Sequence, residues 1–275
     1  MTRVSRRLIV TADDFGRSVS INAAVLRAHR EGILTAASLM VNEEAFEEAV
    51  DLAKENPTLG VGLHLTLLCG HSTLSCESIP DLVNERREFG DNPVAVGARY
   101  FFHGGLRSQL RDEIAAQLER FRDTGLPLDH INGHLHLHLH PVVFSILMEH
   151  AAAWSITHLR LTCDRFWLNM KLARGRLAYR LSHAILYRYF WWMVHPLLRR
   201  QGIRHTRAVF GLMQDSRVDE EFILKLLPEL PAGDSELYSH PSLDQFRHEL
   251  DALVSPRVKE LVQRLGIELT RYQDL

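Results

Sequence analysis

Short apolar runs alternate with stretches of helical spacing along this chain of 275 residues. That alternation predicts an α/β protein with parallel strands. RLIVTADD reads as a buried first strand ending in two carboxylates, Asp13 and Asp14. SINAAVLRAHREGIL reads as a helix, with Ser18 or Ser20 as its cap and Gly32 as its stop. AASLMV (Ala36–Val41) predicts a second strand, EEAFEEAVDLAKENP an acidic-faced helix ended by Pro57, and GVGLHLTL a third strand. LRSQLRDEIAAQLERFRDTG predicts an amphipathic helix closed at Gly125, after which LDHINGHLHLH brings another strand.

PVVFSILMEHAAAW is then helical, THLRLT a strand, and a basic, aromatic helical region runs to about Gln201. AVFGLM, SELYSHP and RVKELVQRLGIEL supply the last strands and helix. With no internal repeat, low-complexity tract or linker, residues 1–275 are expected to form a single domain. Asp13, Asp14, His64, His134, Arg160 and His240 all fall where predicted strands end. In α/β barrels the carboxyl ends of the strands form the active-site face.

Composition changes this picture little. Hydrophobic residues make up 46% and charged residues 24% of the chain, as in ordinary globular proteins. A net charge of −2 argues against a nucleic-acid binder driven by overall charge. The average hides one asymmetry: between Asp164 and Asp215 there is no acidic residue, while ten Lys or Arg occur there. Cys69, Cys76 and Cys163 form no CxxC pair, which fits a reducing compartment. The apolar run near the N-terminus is too short for a signal-peptide core, and YFWWMV is far short of a membrane span. A cytoplasmic location is expected.

Candidate chemistry begins with TADDFG. Adjacent carboxylates repel unless a cation or proton lies between them, and a bend at Phe15-Gly16 would let both reach one cavity. The plainer reading is a helix cap beside a solvated acid. His64 lies on the strand face opposite Val61, Leu63, Leu65 and Leu67; a satisfied core histidine is its plainer reading. From His130 to His140 every second residue is polar, and five of those six are histidine. At period two, His130, Asn132, His134, His136, His138 and His140 would share one face. One strand offers only one or two positions to a single metal ion, so other ligands must come from elsewhere. A loose surface metal tract is the alternative. Arg160 in THLRLT could hold a nearby carboxylate ionised, and His240 in SELYSHP completes the set.

TADDFG, GILTAASLMVN, GVGLHLTL, HINGHLHLHLHP and ELYSHP, in this order and over nearly the whole chain, resemble the YdjC-like carbohydrate deacetylase family. NGHLHLHLHP and the basic aromatic stretch are most similar to the branch associated with hopanoid biosynthesis. The resemblance implies a distorted (β/α) TIM-like barrel, with a basic aromatic helical insert at about residues 165–207. It also implies one divalent metal ion held by Asp14, His64 and His134, with Asp13 as general base and His240 as general acid. Arg160 would orient the base, while Asn132, His136 and His138 would stand behind the ligands or face substrate. Many relatives carry Asp where this chain has Asn132, which puts metal preference and proton handling in doubt.

The implied reaction is hydrolysis of an N-acetyl group on an amino sugar, here N-acetylglucosamine attached to a hopanoid lipid. Zinc or magnesium would be the metal, with cobalt or nickel as further choices. The acid-free stretch, with Phe190, Trp191 and Trp192, suits an anionic membrane surface, giving peripheral attachment to the inner membrane face. A basic solvated helix with aromatics packed on the barrel is the plainer reading. The other readings are a deacetylase of soluble chitooligosaccharides, a two-metal phosphoesterase, and a non-catalytic membrane-docked glycolipid-binding protein. No nucleic-acid partner is expected, and a homodimer is left open.

Overall fold

The computed structural model describes residues 5–162, 166–172, 177–214 and 217–275. Cys163, Asp164, Arg165, Arg174, Arg176 and Asp215, all in or beside the basic stretch, lie outside the described residues. The strands are β1 (Arg6–Phe15), β2 (Ala36–Leu39), β3 (Gly60–Leu65), β4 (Ile131–Gly133), β5 (Ala208–Phe210), β6 (Gly233–Ser239) and β7 (Glu268–Leu269). The helices are α1 (Val19–Glu31), α2 (Phe46–Glu55), α3 (Pro93–Phe102), α4 (Leu106–Asp123) and α5 (Pro141–His150). They continue as α6 (Phe166–Leu172), α7 (Leu177–Gln201), α8 (Glu220–Leu226), α9 (Arg247–Val254) and α10 (Pro256–Leu265).

The strands pair in parallel in the order β4-β3-β2-β1-β6-β5, and β7 lies against the start of β1. This half-barrel arc continues past β4 through single bridges from Ile131 to Leu159 and from His158 to Arg204, just ahead of β5. The architecture is α/β, consistent with a distorted barrel. β1 is buried along its length beyond Arg7 because β2 and β6 flank it on both edges, which explains its unbroken apolar run.

Local chemistry sets the ends of several elements. Ser18 caps α1 by accepting from the Ile21 amide. Ser255 caps α10 with Pro256 in its first turn, and Gly266 closes that helix at φ 61°. α4 ends at Thr124, followed by Gly125 at φ 76°.

Three expectations need correction. The strand expected over Ala36–Val41 ends at Leu39. The strand expected in THLRLT is reduced to the two single bridges. The His-Leu alternation stops being a strand at Gly133: His134–Leu139 is a 3-10 segment kinked where Leu135 (φ 48°) and His136 (φ 58°) turn left-handed. Its histidines therefore do not share one face. Pairing needs an extended backbone, and this one turns as soon as β4 ends.

Candidate active site

A bulge turns the two acids to one site: Asp13 borders the cleft and Asp14 stands beside His64 and His134, which also border it. Thr11 and Ala12 pair with Ala36 and Ala37, but the next pair in register is Phe15 with Leu39. Asp13 and Asp14 thus stand opposite the single residue Ser38, and Asp14 takes a left-handed φ of 64°. The bend expected at Phe15-Gly16 begins one residue earlier. It points both carboxylates toward the strand ends, and both are buried.

Asp14 Oδ1 accepts from His134 Nδ1 at 2.9 Å and lies 3.2 Å from His64 Nε2. Arg17 Nη1 donates to its other oxygen at 3.1 Å. The potential ligand atoms of Asp14, His64 and His134 lie within 4.8 Å of one another, and all three residues are buried. The His64 and His134 rings meet edge-on, 5.5 Å apart. His64 Nδ1–H donates to Asn132 Oδ1 at 2.7 Å, and in the neutral ring the buried Nε2 keeps its lone pair 3.2 Å from Asp14 Oδ1. Burial would lower the pKa of this ring, but Asp13 and Asp14 outweigh it and raise it. A buried imidazole nitrogen left open beside a carboxylate and a second imidazole fits a divalent cation. Burial alone would raise the Asp14 carboxyl, but His134 and His64 outweigh it and hold it well below the usual carboxylate range.

Asp13 is held by a different set of partners. Its Oδ1 accepts from Arg160 Nη2 at 2.9 Å, from Ser38 Oγ at 3.0 Å and from Asn132 Nδ2 at 3.2 Å. Its Oδ2 accepts from Arg160 Nη1 at 2.6 Å. Burial would raise this carboxyl too, yet Arg160 and then His64 outweigh burial and hold it far below the usual range. Arg160 is fully buried and also donates to Glu236 Oε1 through Nε and Nη2, at 3.0 and 2.7 Å. Burial would lower its pKa, but Asp13 and Glu236 raise it well above the ordinary value. Glu236 further accepts from Thr11 Oγ1 at 2.7 Å and from the Tyr272 hydroxyl.

A second polar chain reaches Asp13 from behind. The Ser38 hydroxyl meets His130 Nε2 at 3.0 Å, His130 Nδ1–H donates to Asp129 Oδ2 at 2.8 Å, and the Gln273 amide donates to Asp129 Oδ1 at 3.0 Å. The His130 ring stacks on Tyr272 with centroids 4.7 Å apart. Gly62 makes room for it: a Cβ there would lie 2.5 Å from the ring. Gly60, Gly62 and His64 share one face of β3, so the glycines that flank His64 serve the same network.

The remaining predicted residues scatter. His136 bonds Tyr238 Oη at 3.0 Å and Thr162 Oγ1 at 3.2 Å, and burial pushes its pKa well down. His138 is fully buried and donates from Nε2 to the Arg160 carbonyl at 2.9 Å; burial lowers its pKa to about 3. It bonds the Arg160 backbone and is not part of the group formed by Asp14, His64 and His134. His140 reaches the Gly97 carbonyl. His240 is half-buried, edge-on to Tyr238 with centroids 5.8 Å apart, and its backbone amide donates to Glu249. Asp13, His64, His134, His136 and His240 all border one cleft of about 720 Å³, closed on one side by His183, Leu186 and Phe190 of α7.

Sequence reasoning passed over Ser38, Asp129, Glu236 and Tyr272. Two of them carried a signal: Ser38 and Glu236 are polar residues inside strands buried on both faces, where an unpaired polar group is costly.

Comparison with known proteins finds carbohydrate deacetylases among the relatives of this chain. A carbohydrate deacetylase of Geobacillus stearothermophilus is 43% identical over 273 residues, covering 98% of each chain. A chitooligosaccharide deacetylase of Proteus mirabilis is 30% identical, again over 98% of each chain. A carbohydrate deacetylase of Brevibacillus brevis is 43% identical over 150 residues, 54% of this chain and 57% of that one. A solved structure from Enterococcus faecalis, described as a cellobiose-phosphate cleavage protein, superposes with a TM-score of 0.75 at 23% identity over 98% of both chains. It supports the fold alone. The family model described as YdjC-like protein matches residues 7–264, the span that contains every residue of the cleft, and the chain belongs to that family.

Proposed function

We propose that this protein is a metal-dependent deacetylase that removes the N-acetyl group from N-acetylglucosamine attached to a hopanoid lipid. The coarser part rests on relatives: they make the chain a carbohydrate deacetylase, a hydrolase of an N-acetyl amide bond, at 43% identity over its length. The observation that carries the metal is the open, buried Nε2 of His64 facing Asp14 beside His134. A divalent ion held by these three residues would polarise the acetamide carbonyl and acidify a water beside it. Two imidazoles with one carboxylate suit zinc, cobalt or nickel better than magnesium, which prefers oxygen ligands.

Asp13 acts as the base. Oδ1 already accepts three hydrogen bonds, so Oδ2, with one, is the oxygen free to take the water's proton. Arg160 keeps the carboxylate ionised and fixed in angle. Held so far below neutrality, Asp13 is a weak base, and it would serve where a divalent ion held by Asp14, His64 and His134 acidified the attacking water. His240, across the cleft, gives a proton to the departing amine, which leaves poorly without one. The products are acetate and a free amino sugar.

The lipid part of the reading draws on α7, whose stretch is free of acidic residues and exposes Trp192 and Tyr189. This face would meet anionic headgroups, holding the sugar at the interface. Among the described residues no helix is long and apolar enough to cross a membrane. A soluble chitooligosaccharide is the second candidate substrate, favoured by the activity named for the Proteus mirabilis relative. The test is acetate release by metal-loaded protein from N-acetylglucosaminyl lipid and from chitobiose. Release from the lipid is expected; release from chitobiose alone would overturn the lipid reading. An Asp13→Asn protein that kept its metal and the wild-type rate would overturn the base assignment.

A further inference from the structure

α6 and α7 border a second cleft that the reaction above does not use. Its volume is about 850 Å³, larger than the cleft over Asp13. The walls are mainly apolar: Phe166 and Trp167 from α6, Leu181, Ala184 and Trp191 from α7, and Met213 beyond β5. Trp167 is 84% exposed and Leu181 40%, so the fold gains little from either. Polar groups are few. Arg188 lies over the Trp191 ring at 4.8 Å, Glu229 is paired with Lys171 at 2.9 Å, and Arg207 is the third charged group on the lining. A large apolar space with a few polar groups on its walls matches a small-molecule site.

The position of this cleft indicates its occupant. Tyr187 and Leu212 border both clefts. Tyr187 is buried, with its ring edge-on to His136 at 5.4 Å and to Phe190 at 5.8 Å, and both of those residues border the catalytic cleft. One layer of side chains therefore separates the two spaces. A ligand bound beside Asp13 needs to pass only that layer to extend into the apolar one.

We propose that the second cleft binds the apolar aglycone of the substrate whose acetamido sugar lies over Asp13. The inference rests on the deacetylase reading for the sugar end, and it assigns the other end of the substrate to α6 and α7. A concave space walled by two helices complements one molecule, whereas a bilayer meets a convex face. Binding here supplies affinity remote from the reacting bond.

Octyl β-glucoside below its micelle concentration is the probe for the cleft, because it has no acetamide and binds without reaction. A saturable change in tryptophan fluorescence is expected, since Trp167 and Trp191 line the space. Ala184→Phe, which fills the cleft, and Leu181→Glu, which charges its rim, should each weaken that binding at least tenfold. Both should hydrolyse chitobiose within twofold of wild type. For wild-type protein, KM for octyl N-acetylglucosaminide should be at least tenfold below that for the methyl glycoside, and the two variants should erase the difference. An absent fluorescence change, a change undiminished in both variants, or binding to anionic vesicles without binding of the monomeric glycoside would overturn the proposal. Octyl glucoside binding without acetate release from any N-acetyl sugar would overturn the deacetylase reading and leave the cleft standing. Acetate release at one KM for all aglycones would do the reverse.

Discussion

Arg160 meets Asp13 with two parallel hydrogen bonds, Nη1 to Oδ2 at 2.6 Å and Nη2 to Oδ1 at 2.9 Å. Glu236 holds the same guanidinium from its other edge. The arginine is thus a fixed bracket, and only a planar fork can fill both roles. Arg160→Lys should keep the metal and lower kcat by about 10²-fold, because a misplaced catalytic group costs on that order. Steady-state kinetics beside metal analysis checks it; an unchanged kcat would remove the bracket from the reaction.

Asn132 joins the two halves of the site, accepting from His64 and donating to Asp13 and Ser38. A carboxylate could accept from His64 but could not donate to Asp13. Asn132→Asp would place a second anion about 3.2 Å from the Asp13 oxygen. It should bind metal more tightly, through a more basic His64, and show an activity profile whose acid limb moves to higher pH as Asp13 becomes easier to protonate. A profile identical to wild type would show that the amide is only a spacer.

Metal content can be read directly. Wild-type protein should carry one divalent ion per chain, and Asp14→Asn or His64→Ala should lose most of it. A chelator should abolish acetate release and lower Tm, since an ion that binds only the folded chain stabilises it. Two ions per chain would favour a phosphoesterase.

Gly62→Ala places a methyl group 2.5 Å from the His130 ring. Overpacking a buried site of this kind costs roughly 1–3 kcal/mol. The variant should unfold at lower urea concentration and lose activity as His130 is pushed off Ser38. The methyl would also lie 2.5 Å from the His130 carbonyl oxygen, so unchanged stability would mean that both the ring and the backbone just ahead of β4 give way.

His138 gives stability a pH dependence. Its pKa is about 3 in the fold against an ordinary 6.5, since the ring is buried with Nδ1 unpartnered. Well above pH 6.5 it is neutral in both folded and unfolded chains and contributes no slope. Below that the unfolded chain takes up a proton that the fold refuses, so stability falls as pH falls, until about pH 3. Between pH 7 and 5.5 this one group should cost roughly 1 kcal/mol. Urea titrations of wild type and His138→Gln, which keeps a donor near the Arg160 carbonyl, should differ in slope by that amount. Parallel slopes would count against a neutral buried ring.

Much of this arrangement was legible in the sequence, and the misses share physical causes. β1, β3 and β6 announce themselves as apolar runs, with Asp13, His64 and His240 at or just beyond their ends. The histidine tract misleads because its His-Leu alternation copies a strand while Leu135 and His136, neither of them glycine, turn left-handed just after Gly133. The bulge at Asp14 is equally silent, being set by pairing with β2 rather than by local residue choice. Asp129 and Tyr272 matter only because distant segments pack together, and no local pattern encodes that. The stretch between Thr66 and Gly105, where α3 lies, has no periodicity strong enough to have predicted it.

Tyr272 ties two polar chains to one side chain. Its hydroxyl closes Glu236 and its ring covers His130, so both polar chains that reach Asp13 end against the same turn. The base is thus braced from two directions by a residue that touches neither the cleft nor the metal ligands, and disturbing that one ring would loosen Asp13 from both sides at once.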